Sequence, residues 1–403
     1  MKVAYVSSFP PRKCGVATFT EDLIKAIDRY EVQTPGVVVA VNDVEETYNY
    51  DKRVKFQIER NSLESYLDSA SWINNSDIDV VSLQHEFALY GGREGEYIIS
   101  FLKKLQKPIV ITLHSLPLAP KEGISERVAK KRELLKEIVA LADSIVVIGS
   151  NAFQVLKEEF NARNNICVIP HGCPDIPPNN REEVKRSLGF EGKIILSTFG
   201  LINSHKGIEY VINALPSIIK QDPRVVYVLI GETHPEIRKR DGEKYRSSLT
   251  TLVDNYGLRE HVAFENRFLP KEELFKYLQA TDIYVVPYTA KDQVSSGTLA
   301  YAFAAGKAII STPFPHAQEL LSNGRGLFCE FENSDSIVEC AITLLKDDKL
   351  RKNIEEKAYD HGRQFMWPAV AKKYIDLFKE VAVSEVRFRS YDRMRSLLPT
   401  AAL

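Results

Sequence analysis

The sequence predicts an α/β protein of two domains, each a parallel sheet with helices on both faces. Three observations predict it. Strand-length runs rich in Val and Ile recur along the chain with little polar alternation, as expected for strands buried on both faces. Helix-period segments separate these runs, and a strand–helix–strand order leads to parallel pairing. The chain has 403 residues, more than one compact core usually holds, and a proline-rich seam divides the runs into two sets.

The first set reads KVAYVS, GVVVAV, VVSLQHE, PIVITLH, SIVVIGS and ICVIPHG, with helical stretches including 15–28, 61–74 and 122–142 between them. The seam is CPDIPPNNREE, residues 173–183, whose three prolines and two asparagines predict a stiff, non-helical connector. The second set reads KIILSTFG, VVYVLIGE, VAFENRF, IYVVPY, AIISTP and GLFCEF, with helices near 207–220, 243–256, 271–280 and 297–306. Helices alone follow, near 334–345, 348–362 and 368–383. The expected domains are 1–175 and 176–365, then a closing segment 366–403: a helix able to cross back to the first domain, followed by a basic tail. That tail carries Arg387, Arg389, Arg393 and Arg395 and reads as a solvated end.

Composition narrows the function. Hydrophobic content of 44% and charged content of 27% are those of a soluble globular protein. A formal net charge of −1 gives no electrostatic case for nucleic acid or a membrane surface. No run approaches ~18 apolar residues, so no spanning helix is expected. The opening MKVAYVSSFPP enters a strand pattern directly, without the layout of a signal peptide. The five cysteines (Cys14, Cys167, Cys173, Cys329, Cys340) lack CxxC spacing, which suits a reducing cytoplasm better than a disulfide framework or a zinc site. No two histidines share i, i+4 helical spacing, so no histidine metal site is predicted. G-x-G-x-x-G and G-x-x-x-x-G-K-[ST] are both missing, which argues against NAD-type and P-loop binding. Asp77-Ile-Asp79 has a form able to hold a metal–diphosphate, but acidic turn residues are common before a strand, and that reading is preferred.

The chemistry concentrates in Pro287 to Phe331. There the loop Asp292-Gln293-Val294-Ser295-Ser296-Gly297 ends a strand and opens a helix. Free N–H groups at Ser296, Gly297 and Thr298 would meet an anion at the helix start. Ligands of α/β sheets sit at the carboxyl ends of strands, so a phosphate-bearing ligand is expected. Phe199-Gly200-Leu201-Ile202-Asn203-Ser204-His205-Lys206-Gly207 leaves the first strand of the same half, so Gly200 and Lys206 could face that same ligand. In the first half, Gly15 opens a helix where a ligand could approach the backbone. His114 and His85-Glu86 end strands, with a buried hydrogen-bonded histidine as the alternative reading. His171-Gly172 reads as a hinge turn, and His234 and His316 also stand at strand ends. Tyr90-Gly91-Gly92-Arg93-Glu94 reads as a flexible loop, either acceptor-binding or a connection.

These residues resemble the family-4 glycosyltransferases, retaining enzymes of the GT-B fold, in which two Rossmann-like parallel-sheet domains face a central cleft. The resemblance runs from the first strand to Phe365-Met366-Trp367. The loop ending in Gly15 looks like the family's N-terminal glycine loop. Thr112-Leu113-His114 looks like its T-x-H strand end, whose histidine lies near the transferred sugar. Ile169-Pro170-His171-Gly172 looks like its I-P-[NH]-G element. His205-Lys206-Gly207 looks like its K-G element, whose lysine binds the donor diphosphate. Ala304-Ala305-Gly306-Lys307 with Ile309-Ile310-Ser311-Thr312 looks like its A-x-G-K-P-V-V-x-T run. Three positions depart from the pattern. Leu201 stands where an arginine is usual, and Gln293 and Tyr301 stand where two glutamates usually meet the donor sugar and ribose. The S-S-G-T-L form resembles a distinct branch.

The resemblance implies transfer of a hexose, with retention, from a nucleotide diphosphate sugar to a carbohydrate or other hydroxyl acceptor. His114 and Lys206 carry the chemistry. Gly15, Gly200, Lys206, Gln293, Ser295, Ser296, Gly297, Thr298 and Tyr301 hold the donor, and His85, Glu86 and Arg93 lie on the acceptor side. Mannose from GDP-mannose leads, and glucose from UDP-glucose follows. No cofactor is required, although Mg2+ could ride on the diphosphate. Nucleic acid is not a partner, and membrane contact would be peripheral at most. The rival readings are a GT-B enzyme of another class, such as a nucleotide-sugar epimerase or a glycan phosphorylase, and a non-catalytic sugar-nucleotide-binding protein.

Overall fold

The computed structural model describes residues 1–31, 33–43, 48–118, 123–162 and 165–396, with side chains as far as Val383. The tail arginines Arg387, Arg389, Arg393 and Arg395 therefore lie outside the described side chains, and 397–403 outside the described residues. The chain divides into two units. One is Met1–Pro170 with the closing helix Trp367–Ser396, and the other is His171–Met366.

The first unit holds β1 (Val3–Ser7), β2 (Val37–Asn42), β3 (Val54–Glu59), β4 (Val80–His85), β5 (Ile109–Leu113), β6 (Ser144–Val147) and β7 (Asn165–Val168). They form one parallel sheet in the order β3-β2-β1-β4-β5-β6-β7. β1, β2, β4, β5 and β6 are buried at every residue, which explains their unbroken apolar runs. The two edge strands, β3 and β7, are the exceptions, and β3, reading V-K-F-Q-I-E, was hidden among the apolar runs by its polar alternation. The closing helix packs here. Trp367, Val370, Tyr374 and Phe378 join Phe19, Leu23 and Ile27 of the helix Gly15–Asp28 in one core.

The second unit holds β8 (Ile194–Phe199), β9 (Val225–Ile230), β10 (Val262–Glu265), β11 (Ile283–Val286), β12 (Ala308–Ser311) and β13 (Leu327–Phe328). Their order is β10-β9-β8-β11-β12-β13, again all parallel. Alternate residues of each strand go to opposite cores. Leu196, Tyr227, Leu229, Ile283, Val285 and Ile310 face one side, and Ile195, Val226, Val228, Tyr284, Val286 and Ile309 face the other. A strand with two apolar faces shows no period in its sequence, yet each face fixes register. In both sheets the order reverses beside the first strand, between β1 and β4 and between β8 and β11. Such switch points open a crevice at the strands' carboxyl ends.

The seam is shorter than 173–183. A helix begins at Arg181 because Asn180 caps it: the Asn180 side chain accepts from Glu183 N–H at 3.4 Å and donates to Glu183 Oε1 at 2.9 Å. That helix feeds a buried ion cluster at the amino ends of the second sheet. Asp282, just before β11, takes Arg181 at 3.2 Å, Lys185 at 2.9 Å and the Ile195 N–H at 2.7 Å, while Glu355 takes Arg181 at 2.9 Å. Lys307, just before β12, lies buried in the same cluster, with Thr281 O at 3.4 Å. This lysine of the Ala304–Lys307 motif thus stands at the sheet edge opposite the strand exits.

Candidate functional site

The exits of β8 and β11 are tied together by backbone. The loop after β8 turns through a single 3-10 turn, Ser204–Lys206, capped by the Asn203 side chain, which accepts from His205 N–H at 3.0 Å. Gly207 then takes φ +62°, and a Cβ there would stand 2.0 Å from Pro287 O, so only glycine fits. Thr289 N–H donates to His205 O at 3.1 Å. At Gly200, with φ +134°, an added Cβ would meet Thr298 Cγ2 at 3.1 Å and Lys206 Nζ at 3.9 Å. Lys206 and the start of the helix Gly297–Ala304 therefore converge on one point.

Tyr288 stands at that point. Its phenol oxygen accepts from Lys206 Nζ at 2.6 Å and lies 2.6 Å from Thr298 Oγ1 and 3.4 Å from Ser296 Oγ. The ammonium sits 3.9 Å from the Tyr288 ring centroid, and the ring stacks on Phe314 at 5.3 Å and 13°. Burial alone would raise the phenol's pKa, but the Lys206 charge and the hydrogen bonds shared with Lys206, Ser296 and Thr298 outweigh it and hold it below the usual value. A cavity of about 300 Å³ opens beside this cluster, lined by Asn203, His205, Lys206, Tyr288, Ala290, Asp292 and Gln293.

The helix start differs from expectation in one donor. Ser296 caps the helix, accepting from Leu299 N–H at 3.3 Å. Its own N–H donates to His316 Nδ1 at 2.9 Å, so it is not open to an anion. Gly297 and Thr298 supply the remaining first-turn N–H groups, which have no backbone partner among the described residues. The same bond fixes His316 as the neutral ring with its proton on Nε2. Burial, then the neighbouring His171, pushes the His316 pKa down to about 3. His171 also crowds Gly297: its Nε2 lies 3.0 Å from where a Cβ would be, so a larger residue there would have to push the imidazole aside. The Gln293 side chain donates to Ser295 O, and the Gln293 backbone carbonyl accepts from the His316 backbone N–H at 3.4 Å. Tyr301 is buried in the core, edge-on to His171 at 6.4 Å and tilted over Phe199 at 6.3 Å. Tyr288, His171 and His316 were given no role here by the sequence. The strand-end positions of His171 and His316 were the only signals, and Tyr288 had none.

The other candidates lie in the first unit. Gly15 opens its helix with free space around it and no side-chain cap from Cys14. His114 Nε2 lies 2.9 Å from Gln84 Oε1, and its ring meets the Phe19 ring edge-on at 4.8 Å. His85 faces the opposite side of the sheet from Gln84. It is fully buried, stacked on Tyr90 at 6.0 Å with Phe87 edge-on at 4.9 Å, and neither ring nitrogen has a hydrogen-bond partner among the described residues. Burial, with Lys131 next, pushes its pKa down to about 3, so it stays neutral. Glu86 is half-buried, and Arg93 is an exposed partner of Glu126. The stretch around Arg93 is no open loop. It folds into two 3-10 turns, Phe87–Leu89 and Arg93–Gly95, with Tyr90 buried between them. Arg12, also without a predicted role, is buried against Asp43 at 3.3 Å and Val41 O at 2.9 Å, and so pins the loop before Gly15. Asp77 pairs with the Lys2 ammonium at 2.6 Å, and Asp79 accepts from the Lys2 N–H at 2.7 Å. Among the described residues, no group of three or more His, Cys, Asp or Glu side chains is arranged to hold a metal.

Two family models match the chain: glycosyltransferase family 4 over residues 14–175 and glycosyl transferases group 1 over residues 180–361. An uncharacterized glycosyltransferase of Methanocaldococcus jannaschii is 26% identical over 252 residues, 61% of this chain and 60% of the relative. The alpha-monoglucosyldiacylglycerol synthase of Streptococcus pneumoniae is 24% identical over 313 residues, 74% of this chain and 66% of the relative. The chain thus spans a little under two thirds of the length of these relatives. The solved sucrose-phosphate synthase of Thermosynechococcus elongatus shares the fold, with a TM-score of 0.78 at 16% identity over 95% of this chain and all of that one.

Proposed function

The chain belongs to the family-4 glycosyltransferases of the GT-B type, and from that premise we propose that it moves a hexose from a nucleotide diphosphate sugar to a hydroxyl acceptor with retention of anomeric configuration. One observation carries the reading: the Lys206 ammonium and the helix start at Gly297–Thr298 converge at the β8/β11 switch point beside a cavity. A departing diphosphate gains negative charge in the transition state. A fixed ammonium and backbone N–H groups stabilise it there without reorganisation.

Retention fits a front-face route in which a donor phosphate oxygen takes the acceptor proton, so that no enzyme nucleophile is needed. His114, held by Gln84, would position the transferred sugar. Any Mg2+ would travel on the diphosphate. GDP-mannose and UDP-glucose are the donors to try first. The donor-loop likeness favours mannose, and the name of the streptococcal relative supports glucose. Glu86 and Arg93 keep solvent access for an acceptor, a carbohydrate or another hydroxyl compound, whereas His85 is enclosed. A reducing cytoplasm suits the five unbridged cysteines, and no described helix is long and apolar enough to cross a membrane.

A thermal-shift screen of nucleoside diphosphates and sugar nucleotides tests the reading. A ligand at 100 times its dissociation constant stabilises by about 2.7 kcal/mol. Silence across the panel would remove the donor assignment. Release of nucleoside diphosphate from a sugar nucleotide then separates a transferase from a protein that only binds one, the rival favoured by the buried Tyr301 in place of a ribose-gripping carboxylate.

A further inference from the structure

No motif gives Tyr288 a role, yet it is the residue on which the site's polar groups meet. It is 3% exposed and stacked on Phe314, so its oxygen is held in place. Lys206 is the opposite: a half-exposed side chain on a flexible four-carbon stem. Leu201 leaves no arginine at that position of the loop. Whatever aims the Lys206 ammonium must therefore be its own contacts, and the phenol supplies the shortest, at 2.6 Å.

The proton inventory sets the direction of the relay. An ammonium has only donors, so Tyr288 accepts from Lys206. The phenol's own proton then goes to Thr298 Oγ1, 2.6 Å away. That leaves two Lys206 protons for the cavity and turns the Thr298 hydroxyl proton away from Tyr288, toward Ser296 Oγ at 3.3 Å or a ligand.

We propose that Tyr288 is a positioning residue of the phosphate subsite: one phenol oxygen holds the Lys206 ammonium and the Thr298 hydroxyl so that both address the same diphosphate. The inference rests on the sugar-nucleotide reading above. Tyr288 acts through Lys206 and is not itself catalytic.

Calorimetric titration of UDP and GDP into the full chain tests it, using wild type, Y288F, K206A and the double variant. Y288F keeps the stack and removes the oxygen. It is expected to weaken diphosphate binding about tenfold, the size of one lost charge-assisted hydrogen bond. In the K206A background the same change is expected to cost distinctly less, only the share that the Thr298 hydroxyl carries. Equal losses in both backgrounds would mark a merely structural role and overturn the proposal. So would unchanged affinity in Y288F. If wild type binds neither diphosphate, the sugar-nucleotide reading falls, and this inference with it. Should Y288F fail to fold, T298V breaks the same relay without touching the stack. Its loss is expected to be larger in the wild-type background than in K206A, and fully additive losses would refute the relay.

Discussion

Replacing Lys307 with methionine should remove a pH dependence of stability that the fold builds in at the amino edge of the second sheet. Burial is the main cause, and Arg181 and Lys185 reinforce it against Glu355 and Asp282. Together they push the Lys307 pKa from 10.5 down to about 7. Below pH 7 the ammonium is charged in both folded and unfolded chains, and the folded state bears the full burial penalty. Above about pH 10 it is neutral in both. Between these limits the unfolded chain holds a proton that the folded chain has released, so stability rises with pH. At about 1.4 kcal/mol per pH unit of separation, the rise is roughly 3–5 kcal/mol. K307M keeps most of the stem and its packing but has nothing to titrate. Urea unfolding of both proteins at pH 7, 8, 9 and 10 gives the assay. The wild type should gain on K307M across the window, with the variant the more stable protein at pH 7. A constant difference between them would mean that Lys307 stays charged inside its cluster, and the burial effect would be ruled out.

Three further outcomes follow from the geometry. G207A should lose at least about 2 kcal/mol from the left-handed backbone and the contact with Pro287 O, and should lose diphosphate binding as Lys206 is displaced; an unchanged denaturation midpoint contradicts this. S296A should cost about 1 kcal/mol in urea unfolding through the lost helix cap, and no loss would show that another group satisfies Leu299 N–H. H85F should be neutral or stabilising at pH 7, since the imidazole it removes has no hydrogen-bond partner among the described residues. It should also flatten the fall in stability as pH drops from 6.5 toward 3, a window in which the unfolded histidine binds a proton that the folded one, at about 3, does not. A wild-type-like acid profile in H85F would place the titration elsewhere.

The sheets were legible because a strand buried on both faces must be apolar throughout, as β2 and β11 are. β3 was not, since an edge strand carries polar residues on its open side. The short helices Tyr97–Lys104 and Ser150–Glu159 give too few turns for a clear period. In the site, Lys206 and Ser296–Thr298 could be paired from the sequence because their loops leave strands of one half. The bond that takes the Ser296 N–H could not be read, because it comes from His316, 20 residues away across another strand. Tyr288 was hidden for a similar reason. A tyrosine after a strand usually marks packing, and only the distances to Lys206 and Thr298 give it a second meaning. Lys307 shows the converse. Its motif could be recognised without a role, and its place follows from the fold: the residue before a parallel strand lies at the edge of the sheet away from the strand exits.

The most direct measurement is the release of nucleoside diphosphate from a panel of sugar nucleotides, GDP-mannose and UDP-glucose included, by wild type and K206A. The account predicts release from at least one donor by wild type. It also predicts a loss of about 2–4 kcal/mol of transition-state stabilisation in K206A, a rate lower by roughly 30- to 1,000-fold. No release from any donor, or equal rates in the two proteins, would contradict it.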